Sequence, residues 1–408
     1  MNREIQQLVT QYREACHQPL CAYVYDLDRL AQEARNMVKL LPKDTNLFYA
    51  IKANPDERIL GALLPYVSGF EVASIGELKK VRKVSADVPV LFGGPSKKEY
   101  ELRGALRAGV TYIHIESTLE LQRLLLIANE LQTSAQVLLR INLNYDDLPT
   151  TNVTMAGEPS PFGMEETEIE RALKLVAHQN LVQIYGFHFH SISNNLREDL
   201  HVAMIDHYVD KVEEWQSTYG LDVKVLNCGG GFGVSYDENP SFDWEKFIAA
   251  LKSSGVLDRV KGKQLLFEPG RRIVANCGYY VTEVNDLKQS QQEHFAILRG
   301  GTHHQRLPAS WGHNHPFKII PIEEWPYPFS RPTVTEERVN IVGELCSPKD
   351  RLHSQAEVSQ LRVGDLVVFL QSGAYSWTIS HHQFLGHDQP AFLYYRDKQF
   401  QSISRSDH

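Results

Sequence analysis

One lysine ends a short apolar run in a position that suits covalent chemistry. Lys52 lies in the segment FYAIKAN, near the carboxyl end of the first predicted strand. Burial of an ammonium in apolar surroundings lowers its pKa, and a neutral lysine amine can form a Schiff base with an aldehyde. The alternative is a lysine at a strand terminus whose ammonium stays in water. Position alone favours that alternative.

Two further segments at predicted strand ends suit a phosphorylated ring. The run NCGGGFG contains Gly229, Gly230 and Gly231, and successive glycines let backbone N–H groups approach a phosphate. A tight turn explains three glycines equally well, but their place after the seventh predicted strand favours a phosphate site. In FEPGRR, the Glu268 carboxylate could pair with a protonated pyridine nitrogen, as in pyridoxal phosphate sites, and Arg271 could contact an anion. A surface Glu–Arg pair of little energetic value is the alternative.

Side chains at the ends of two more predicted strands complete this set. Arg140 ends the fifth strand, and we expect it to orient Glu268. His188 and His190, in GFHFHSIS, share one face of the sixth strand because side chains alternate along a strand. They suit a metal pair without an evident third ligand, an imidazole stacked on a flat cofactor, or ordinary core histidines. The residues alone leave these alternatives open.

The last third of the chain carries two more motifs. GELCSPKD contains Cys346, and SGAY contains Tyr375. An exposed cysteine between a strand and a polar turn could act as an acid or base, although a lone cysteine is more often a small buried hydrophobe. The adjacent histidine pairs at 303–304 and 381–382 are interpreted as loop or substrate-contact residues and not as metal ligands.

Eight short apolar runs must position these side chains. They predict strands at 46–53, 69–74, 88–92, 112–115, 136–141, 184–190, 223–228 and 264–268. Amphipathic patterns predict helices at 56–66, 76–86, 97–108, 118–132, 166–178, 199–218 and 244–254. Continuous apolar runs joined by helical crossovers are typical of parallel strands, and eight such units favour an α/β fold of the (β/α)8, TIM-like barrel type. A doubly wound open sheet is the alternative that periodicity does not separate from a barrel.

The pattern changes at about residue 280, where strand-like runs predict a second, mostly β domain. These runs lie at 278–284, 294–298, 338–343 and 365–370. The strand Cys21–Asp26 has no evident barrel partner and is assigned to the same domain. The predicted boundaries are 1–34 for the lead-in to the β domain, 35–277 for the barrel and 278–408 for the C-terminal β domain. The region 303–335, rich in His, Pro and Trp, predicts a long loop, which in a compact domain is usually functional or mobile.

Composition excludes several classes of protein. The 408 residues are 42% hydrophobic and 23% charged, a composition that excludes a long disordered chain. The net charge is −8, so nucleic acid is not an expected partner. Five scattered cysteines indicate no disulfide framework and favour a reducing cytoplasm. No apolar stretch approaches the roughly 20 residues of a membrane helix, so no membrane partner is expected.

Together these motifs resemble the fold-type III pyridoxal phosphate decarboxylases, which include diaminopimelate, ornithine and arginine decarboxylases. FYAIKAN, GFHFHSIS, GGGFG, FEPGR, GELCSPKD and GAY occur in the family's order over essentially the full length. The resemblance implies an alanine-racemase-like barrel and β domain, pyridoxal 5'-phosphate as cofactor, and a homodimer with shared active sites. GFEVAS, FHFHSISNNL, SWGHNHPF and SWTISHHQFL are similar to a branch that decarboxylates an amide of citrate with 2,3-diaminopropionate in siderophore biosynthesis.

The resemblance also implies a role for individual residues. Lys52 is expected to bind the cofactor covalently, His190 to stack on its ring, and Glu268 to pair with its pyridine nitrogen. Cys346 is expected to protonate the α-carbon after carbon dioxide leaves, which makes Lys52, His190 and Cys346 the expected catalytic residues. The expected contacts on the phosphate side are Ser193, Gly229, Gly230, Gly231, Arg271 and Tyr375. Cys346 and Tyr375 would come from the other subunit.

Departures from the family pattern favour an anionic substrate tail. Arg299-Gly300-Gly301 stands near the family's Asp-Gly motif, and Ser347 stands where related enzymes place an acid. Such acids bind a distal ammonium, so their replacement argues against a diamine-like substrate and favours a citryl group. The candidate carboxylate contacts are Arg299, His303, His304, Arg306, His313 and Ser347. Ile192 also replaces the glycine that is usual after the stacking histidine.

Three alternatives to this substrate and activity remain. The first is a decarboxylase of a simple amino acid such as diaminopimelate. The second is an alanine-racemase-like enzyme, which would need a catalytic tyrosine in the second domain. The third is a non-catalytic binding homologue, which should have lost cofactor residues, although Lys52, Glu268 and Cys346 are all present.

Overall fold

Strands and helices alternate through the first two thirds of the chain, and strands predominate after them. The computed structural model describes residues 1–143 and 159–402. The strands are β1 (Cys21–Asp26), β2 (Thr45–Ala50), β3 (Gly69–Val72), β4 (Val90–Phe92), β5 (Tyr112–Ile115), β6 (Ala135–Arg140), β7 (Val182–His188), β8 (Val225–Asn227), β9 (Gln264–Phe267), β10 (Gly278–Ser290), β11 (Glu293–Leu298), β12 (Phe317–Ile320), β13 (Thr333–Val342), β14 (Arg351–Arg362), β15 (Leu366–Phe369), β16 (Ala391–Arg396) and β17 (Gln399–Ser402). The helices are α1 (Arg3–Glu14), α2 (Leu27–Leu40), α3 (Glu57–Leu63), α4 (Ile75–Val84), α5 (Glu99–Arg107), α6 (Thr118–Leu131), α7 (Ile169–Val176), α8 (Glu198–Tyr219), α9 (Trp244–Ser253), α10 (Val256–Arg259), α11 (Arg271–Val274) and α12 (Leu307–Trp311).

The eight predicted barrel strands are all present and close on themselves. Strands β2 to β9 pair in parallel with their neighbours, and β9 pairs with β2. The predicted barrel is therefore confirmed, and the open sheet is excluded because it would leave β2 and β9 as edges. Each strand starts or ends within a few residues of its predicted limits, and the fourth, β5, matches them fully.

Burial on both faces explains why these strands read as continuous apolar runs. All residues of β3, β4 and β5 are buried, as expected for strands that face both the barrel interior and the surrounding helices. Phe48, Leu91, Leu138, Val225 and Leu266, each from a different strand, form one apolar cluster. This packed interior closes the barrel and leaves the chemistry to the strand ends.

Helix caps end the loops that follow the strands. Asp56 accepts hydrogen bonds from the backbone of Arg58 and Ile59 at the start of α3, soon after the turn that carries Lys52. Ser74 and Ser117 cap α4 and α6 by accepting from the backbone three residues on. Such caps satisfy the free N–H groups of the first helical turn. These three caps fix where α3, α4 and α6 begin after their strands.

The chain divides into two compact units. The barrel unit comprises Ala31–Ser235 and Pro240–Ile273, and the β unit comprises Met1–Leu30, Tyr236–Asn239 and Val274–His408. The boundaries predicted from sequence, 1–34, 35–277 and 278–408, stay a prediction of where the domains begin. Within the described residues, no helix combines the length and the apolar composition needed to cross a bilayer.

The β unit is built on a nine-stranded sheet. Its main order is β14-β13-β11-β10-β1-β16-β17, and β15 pairs with β10 and β12. Strand β1 pairs in antiparallel with β10 and in parallel with β16, which gives the N-terminal strand the partners that the barrel does not offer. Ile5 and Val9 of α1 pack with Val24, Val281 and Leu366 in its core.

The prediction of one long loop over 303–335 is wrong. Helix α12 begins at Leu307, and β12 pairs in antiparallel with β15 between Phe317 and Ile320. The segment FKII is a four-residue run, which is too short to reveal a period by itself. Its pairing partner lies almost fifty residues away, so the strand was not evident from local sequence.

Candidate active site

The carboxyl ends of the barrel strands bring the predicted residues of the first two thirds together. Seven of these ends carry polar side chains: Lys52 after β2, Glu71 in β3, His114 and Glu116 at β5, Arg140 in β6, His188 and His190 at β7, Asn227 in β8 and Glu268 after β9. Parallel strands share one direction, so these groups meet at one mouth of the barrel. Glu71, His114, Glu116 and Asn227 were not among the sequence candidates.

Lys52 lies in a short 3-10 turn just beyond β2 and not inside the strand. Its side chain is 41% exposed, and its Nζ is 3.6 Å from Oε2 of the buried Glu71. This exposure agrees with the reading that position alone favoured, a lysine at a strand terminus, and not with activation by apolar burial, because β2 ends two residues before Lys52. Burial raises the pKa of Glu71 to about 7, against the opposing effect of Lys52. The amine is open to a ligand, with an acid of near-neutral pKa beside it.

Glu268 is held at the bottom of this mouth by uncharged groups. Asn227 Nδ2 donates to Glu268 Oε1 over 2.7 Å, and His188 Nε2 lies 3.4 Å from Glu268 Oε2. The rings of His188 and His114 stack 4.0 Å apart at 18°. Burial lowers the pKa of both histidines well below its usual value, so both rings are neutral. The result is a buried carboxylate with neutral polar neighbours.

Arg140 does not take the predicted partner. Its Nη1 donates to Glu116 Oε1 over 2.9 Å, and Glu116 also accepts from the backbone N–H groups of Gly94 and Gly163. The described hydrogen bond that orients Glu268 comes instead from Asn227. The reason is geometric, since Glu116 follows β5, which pairs directly with β6, whereas Glu268 follows β9.

The structure does not pair His188 with His190 as possible metal ligands. Donor atoms of His114, His188 and Glu268 lie within 4.8 Å of one another, whereas His190 is not part of this group. His114 supplies the third group that the sequence did not reveal, because it stands alone in the apolar strand YIHI. Since Asn227 already donates to Glu268 and the two imidazoles are stacked, we interpret the group as a polar wall of the site and not as a metal centre.

The glycine run forms a cradle that has no room for side chains. A Cβ atom on Gly229, Gly230 or Gly231 would lie 2.3 to 2.4 Å from a backbone oxygen, and Gly229 and Gly231 have φ of +65° and +95°. The backbone N–H of Gly230 donates to His190 Nδ1 over 3.1 Å. Because that nitrogen accepts, the proton of the neutral ring is on Nε2.

The two remaining barrel candidates lie beside this cradle in sequence and space. Ser193 belongs to the loop 191–195, whose Asn195 exchanges backbone hydrogen bonds with Gly231 and Gly233. Arg271 is buried and follows Glu268 by three residues at the start of α11. The structure thus brings every barrel candidate to one mouth.

This mouth fits a flat, phosphorylated pyridine aldehyde. Lys52 offers an accessible amine, Glu268 a buried carboxylate for the ring nitrogen, and the cradle a close backbone approach for a phosphate. Burial, together with the nearby Lys52, lowers the pKa of His190 well below its usual value, so it presents a neutral ring that can stack. These residues would hold pyridoxal phosphate.

In the β unit, one aspartate joins two of the sequence motifs. Asp350 Oδ1 accepts from the N–H and hydroxyl of Thr302, and its Oδ2 accepts from the N–H of Leu345. Burial raises the pKa of Asp350, and the hydrogen bond from the Thr302 N–H opposes that rise. The loop from Gly343 to Asp350 is thereby tied to the segment after β11, and it presents Cys346 exposed to solvent.

A basic cavity of about 840 Å³ lies in the β unit beside that loop. Its cationic and imidazole lining consists of Arg306, His313, Lys349, Arg351, His353 and His381, and Ser347 also lines it. None of the described residues that line the cavity is acidic. The cavity therefore suits an anion with several carboxylates. Three of the six predicted substrate contacts, Arg306, His313 and Ser347, line it.

The other three predicted substrate contacts lie elsewhere in the β unit. Arg299 Nη1 donates to Glu344 over 2.8 Å, so its charge is already compensated. His303 and His304 are fully buried, and burial lowers their pKa values to about 4 and about 2. These three residues do not line the basic cavity, and their contact with a substrate carboxylate stays a prediction.

Tyr375 follows β15 in the segment SGAY and is partly buried, with a left-handed φ of +52°. Its expected contact with the cofactor's phosphate in the other subunit stays a prediction, as does the role of Cys346.

Known proteins resemble this chain over nearly its full length. Residues 27–275 match the family model described as pyridoxal-dependent decarboxylase, pyridoxal binding domain. The chain is 41% identical over 393 residues to the 2-[(L-alanin-3-ylcarbamoyl)methyl]-2-hydroxybutanedioate decarboxylase of Staphylococcus aureus, covering 96% of this chain and 98% of that one. It is 31% identical to the L-glutamyl-[BtrI acyl-carrier protein] decarboxylase of Niallia circulans, covering 94% and 90% of the two chains.

A solved structure shares the fold. The diaminopimelate decarboxylase of Helicobacter pylori, complexed with L-lysine, has a TM-score of 0.83 and 24% identity, and covers 97% of this chain and 95% of that one. At this identity the likeness concerns the fold, a barrel followed by a mostly β domain.

Proposed function

The chain belongs to the pyridoxal-dependent decarboxylases, carboxy-lyases that use pyridoxal phosphate, and on that basis we propose its substrate. The proposed reaction removes the α-carboxylate of an L-amino acid whose side chain carries a citryl group through an amide. The compound in the name of the Staphylococcus aureus relative has this form, an alanine unit joined to a hydroxybutanedioate. The proposed setting is the biosynthesis of a carboxylate siderophore.

The basic cavity of the β unit is the observation that carries this substrate. A citryl group linked through one carboxyl keeps two carboxylates, and Arg306, Lys349 and Arg351 offer matching positive charge. A diamine-like tail would bring an ammonium into the same surroundings and be repelled. Ser347 lines the cavity and is adjacent in sequence to the expected acid Cys346, so the proposed tail site and the proposed acid share one loop.

The barrel residues have distinct proposed roles in the reaction. When bound, pyridoxal phosphate supplies an electron sink for the pair left on the α-carbon. The Lys52 amine would hold the cofactor, and Glu268 would keep a proton on its pyridine nitrogen. His190 stacks on the ring, and Ser193, Gly229 to Gly231 and Arg271 hold the phosphate. Cys346 Sγ carries the proton that the α-carbon receives.

We also propose a homodimer with shared active sites. Cys346 is exposed on the loop held by Asp350, as a residue that reaches into a second subunit must be. In this arrangement Cys346 and Tyr375 complete the barrel mouth of the other copy. The proposed location is the cytoplasm, which suits five cysteines that are not joined in disulfides.

The test is a decarboxylation assay with pooled substrates. Holoenzyme meets citryl-diaminopropionate, diaminopimelate, ornithine, arginine and lysine together, and mass spectrometry follows each compound. We expect loss of carbon dioxide from the citryl compound alone. Consumption of diaminopimelate or a basic amino acid would agree with the family assignment but would contradict the proposal that the substrate has an anionic tail.

Arg306→Gln tests the cavity directly. Removal of one carboxylate partner should raise KM for the citryl substrate by about tenfold, with kcat little changed, because the tail lies away from the reacting bond. Arg338→Gln is the matched control, since Arg338 is exposed on β13 and pairs with Glu357. Equal KM values in the two variants would remove the cavity from substrate binding.

A further inference from the structure

Asn227 is a fully buried side chain at the end of β8 that no prediction from sequence singled out. Its Oδ1 accepts from the N–H of Gly229 over 3.0 Å, and its Nδ2 donates to Glu268 Oε1 over 2.7 Å. Nδ2 also lies 3.3 Å from His114 Nε2. One amide therefore contacts the glycine cradle, the buried acid and the stacked histidines.

These contacts determine how the amide is oriented. A backbone N–H can only donate, so the atom that faces Gly229 is the carbonyl oxygen. The NH2 group consequently faces Glu268 and His114, and each of its two N–H bonds has an acceptor. His114 Nε2 accepts, which places the proton of this neutral ring on Nδ1.

We propose that Asn227 is a positioning residue that fixes Glu268 as an oriented carboxylate and so keeps the proton on the pyridine nitrogen of bound pyridoxal phosphate. A donor aimed at a carboxylate oxygen favours the ionised form. The cofactor acts as an electron sink only while its ring nitrogen carries that proton, so the amide acts on the reaction through Glu268. This inference rests on the cofactor and not on the proposed substrate.

The surroundings of Asn227 connect the acid to the stacking imidazole. The backbone N–H of Glu268 donates to the carbonyl of Gly229 over 2.7 Å, and the N–H of Gly230 donates to His190 Nδ1. The segment from Asn227 to Gly230 thus sets the orientation of Glu268 from one side and the tautomer of His190 from the other. Both groups are those expected to contact the cofactor ring.

The hydrogen bond to Glu268 depends on an N–H group at position 227. An aspartate there would have almost the same shape, but its carboxylate has no N–H for Glu268. It would place two buried carboxylates in hydrogen-bond contact, and such a pair shares a proton because both cannot ionise. The shared proton would then compete with the one on the pyridine nitrogen.

The experiment compares Asn227→Asp with the wild-type holoenzyme. Apoprotein is loaded with pyridoxal phosphate labelled with ¹⁵N in the ring, and the ¹⁵N chemical shift is recorded from pH 6 to 9 without substrate. We expect the wild type to show a protonated ring nitrogen and the variant to move toward the neutral-pyridine value. A loss of cofactor affinity on the order of tenfold should accompany it.

Two further variants make the result decisive. Asn46→Asp makes the same isosteric change at the amino end of β2 and should leave the ¹⁵N shift unchanged. Asn227→Ala removes the donor without adding charge, should move the shift in the same direction, and decides the matter where the Asp variant fails to fold. A wild-type ¹⁵N shift in a folded, loaded Asn227→Asp or Asn227→Ala protein would overturn the proposal, whatever substrate the enzyme uses.

Discussion

At the scale of single residues, Lys52 and Glu71 form a pair whose members have opposite exposure. The lysine is 41% exposed, whereas the glutamate is buried, and the two charged atoms are 3.6 Å apart. The exposed member can meet a ligand while the buried one stays in place. An amine that must be released and regained in each turnover benefits from a fixed acid beside it.

Lys52→Ala should abolish covalent binding of the cofactor. Because no other predicted residue supplies the amine, we expect the visible absorbance of lysine-bound pyridoxal phosphate to vanish and decarboxylation to fall below detection. The measurement is an absorbance spectrum after reconstitution and gel filtration. Lys79→Ala, at an exposed position on α4, is the control. Unchanged visible absorbance in Lys52→Ala would exclude the assignment.

Glu71→Gln should change how stability depends on pH. The pKa of Glu71 is raised by burial to about 7, so between its ordinary value and 7 the folded state holds a proton that the unfolded state has lost. The free energy of unfolding therefore falls as pH rises through this range, and the variant escapes that loss.

Thermal melts of the apoprotein at pH 5 and pH 8 measure this effect. The Tm of Glu71→Gln relative to wild type should be higher at pH 8 than at pH 5. Glu57→Gln, an exposed residue paired with Lys83, should show no such trend. Parallel pH profiles for Glu71→Gln and wild type would contradict the assigned titration.

At the scale of elements, the glycine cradle shows why a loop can be as constrained as a strand. A Cβ atom on its three glycines would meet backbone oxygens of Phe189, Glu268 and Ile192, so two segments, 189–192 and the one at Glu268, pack closely against it. Only residues without a Cβ permit that approach, and two of the three also need a left-handed backbone. The cradle is therefore both a binding surface and a packing requirement.

Gly230→Ala separates the steric effect from backbone strain, because Gly230 is the cradle glycine without a positive φ. The alanine Cβ at position 230 would lie 2.4 Å from the carbonyl oxygen of Glu268, and a backbone atom can move away only at a cost in folding free energy. We expect a loss of about 1–3 kcal/mol in stability and weaker cofactor binding. Fluorescence titration with pyridoxal phosphate and a denaturant melt measure the two.

Gly61→Ala is the matched control for that substitution. Nothing lies within 4 Å of a Cβ at Gly61, which is inside α3. Alanine has the higher helix propensity, so stability should stay level or rise by up to about 1 kcal/mol. If both variants bind the cofactor equally well, the cradle does not hold it.

At the scale of the whole molecule, shared active sites predict complementation between two inactive variants. Lys52→Ala lacks the barrel lysine, and Cys346→Ala lacks the acid expected from the second subunit. A mixed dimer contains one site with both wild-type residues. Random exchange of subunits should therefore restore about a quarter of wild-type activity.

Mixing after mild dissociation, followed by the decarboxylation assay, measures that recovery. The double variant mixed with wild type is the control, because its mixed dimers contain no additional intact site. Absence of recovery in exchanged, folded samples would place Lys52 and Cys346 of each site in one subunit.

The sequence by itself determined the eight strand-and-helix units and several of the residues at the barrel mouth, whereas the closure of the sheet was decided by the tertiary structure. Strands buried on both faces are largely apolar along their length, so local sequence was enough to predict the eight strands. The rule that chemistry follows the carboxyl ends of such strands then singled out Lys52, His190, the glycine run and Glu268. For the second domain, the sequence predicted mostly β structure but missed strands such as β12, which is short, half-exposed and paired with a distant partner.

Only the tertiary structure decided which polar groups contact one another. The neighbour of Arg140 is Glu116 and that of Glu268 is Asn227, because strand order and register place these ends side by side. His114 and Glu71 were not among the residues singled out from the sequence, and Arg299 was expected to contact a substrate carboxylate, whereas it pairs with Glu344. Burial and pairing depend on the closed barrel and the folded loop. Local sequence does not determine the distance between the ends of two strands.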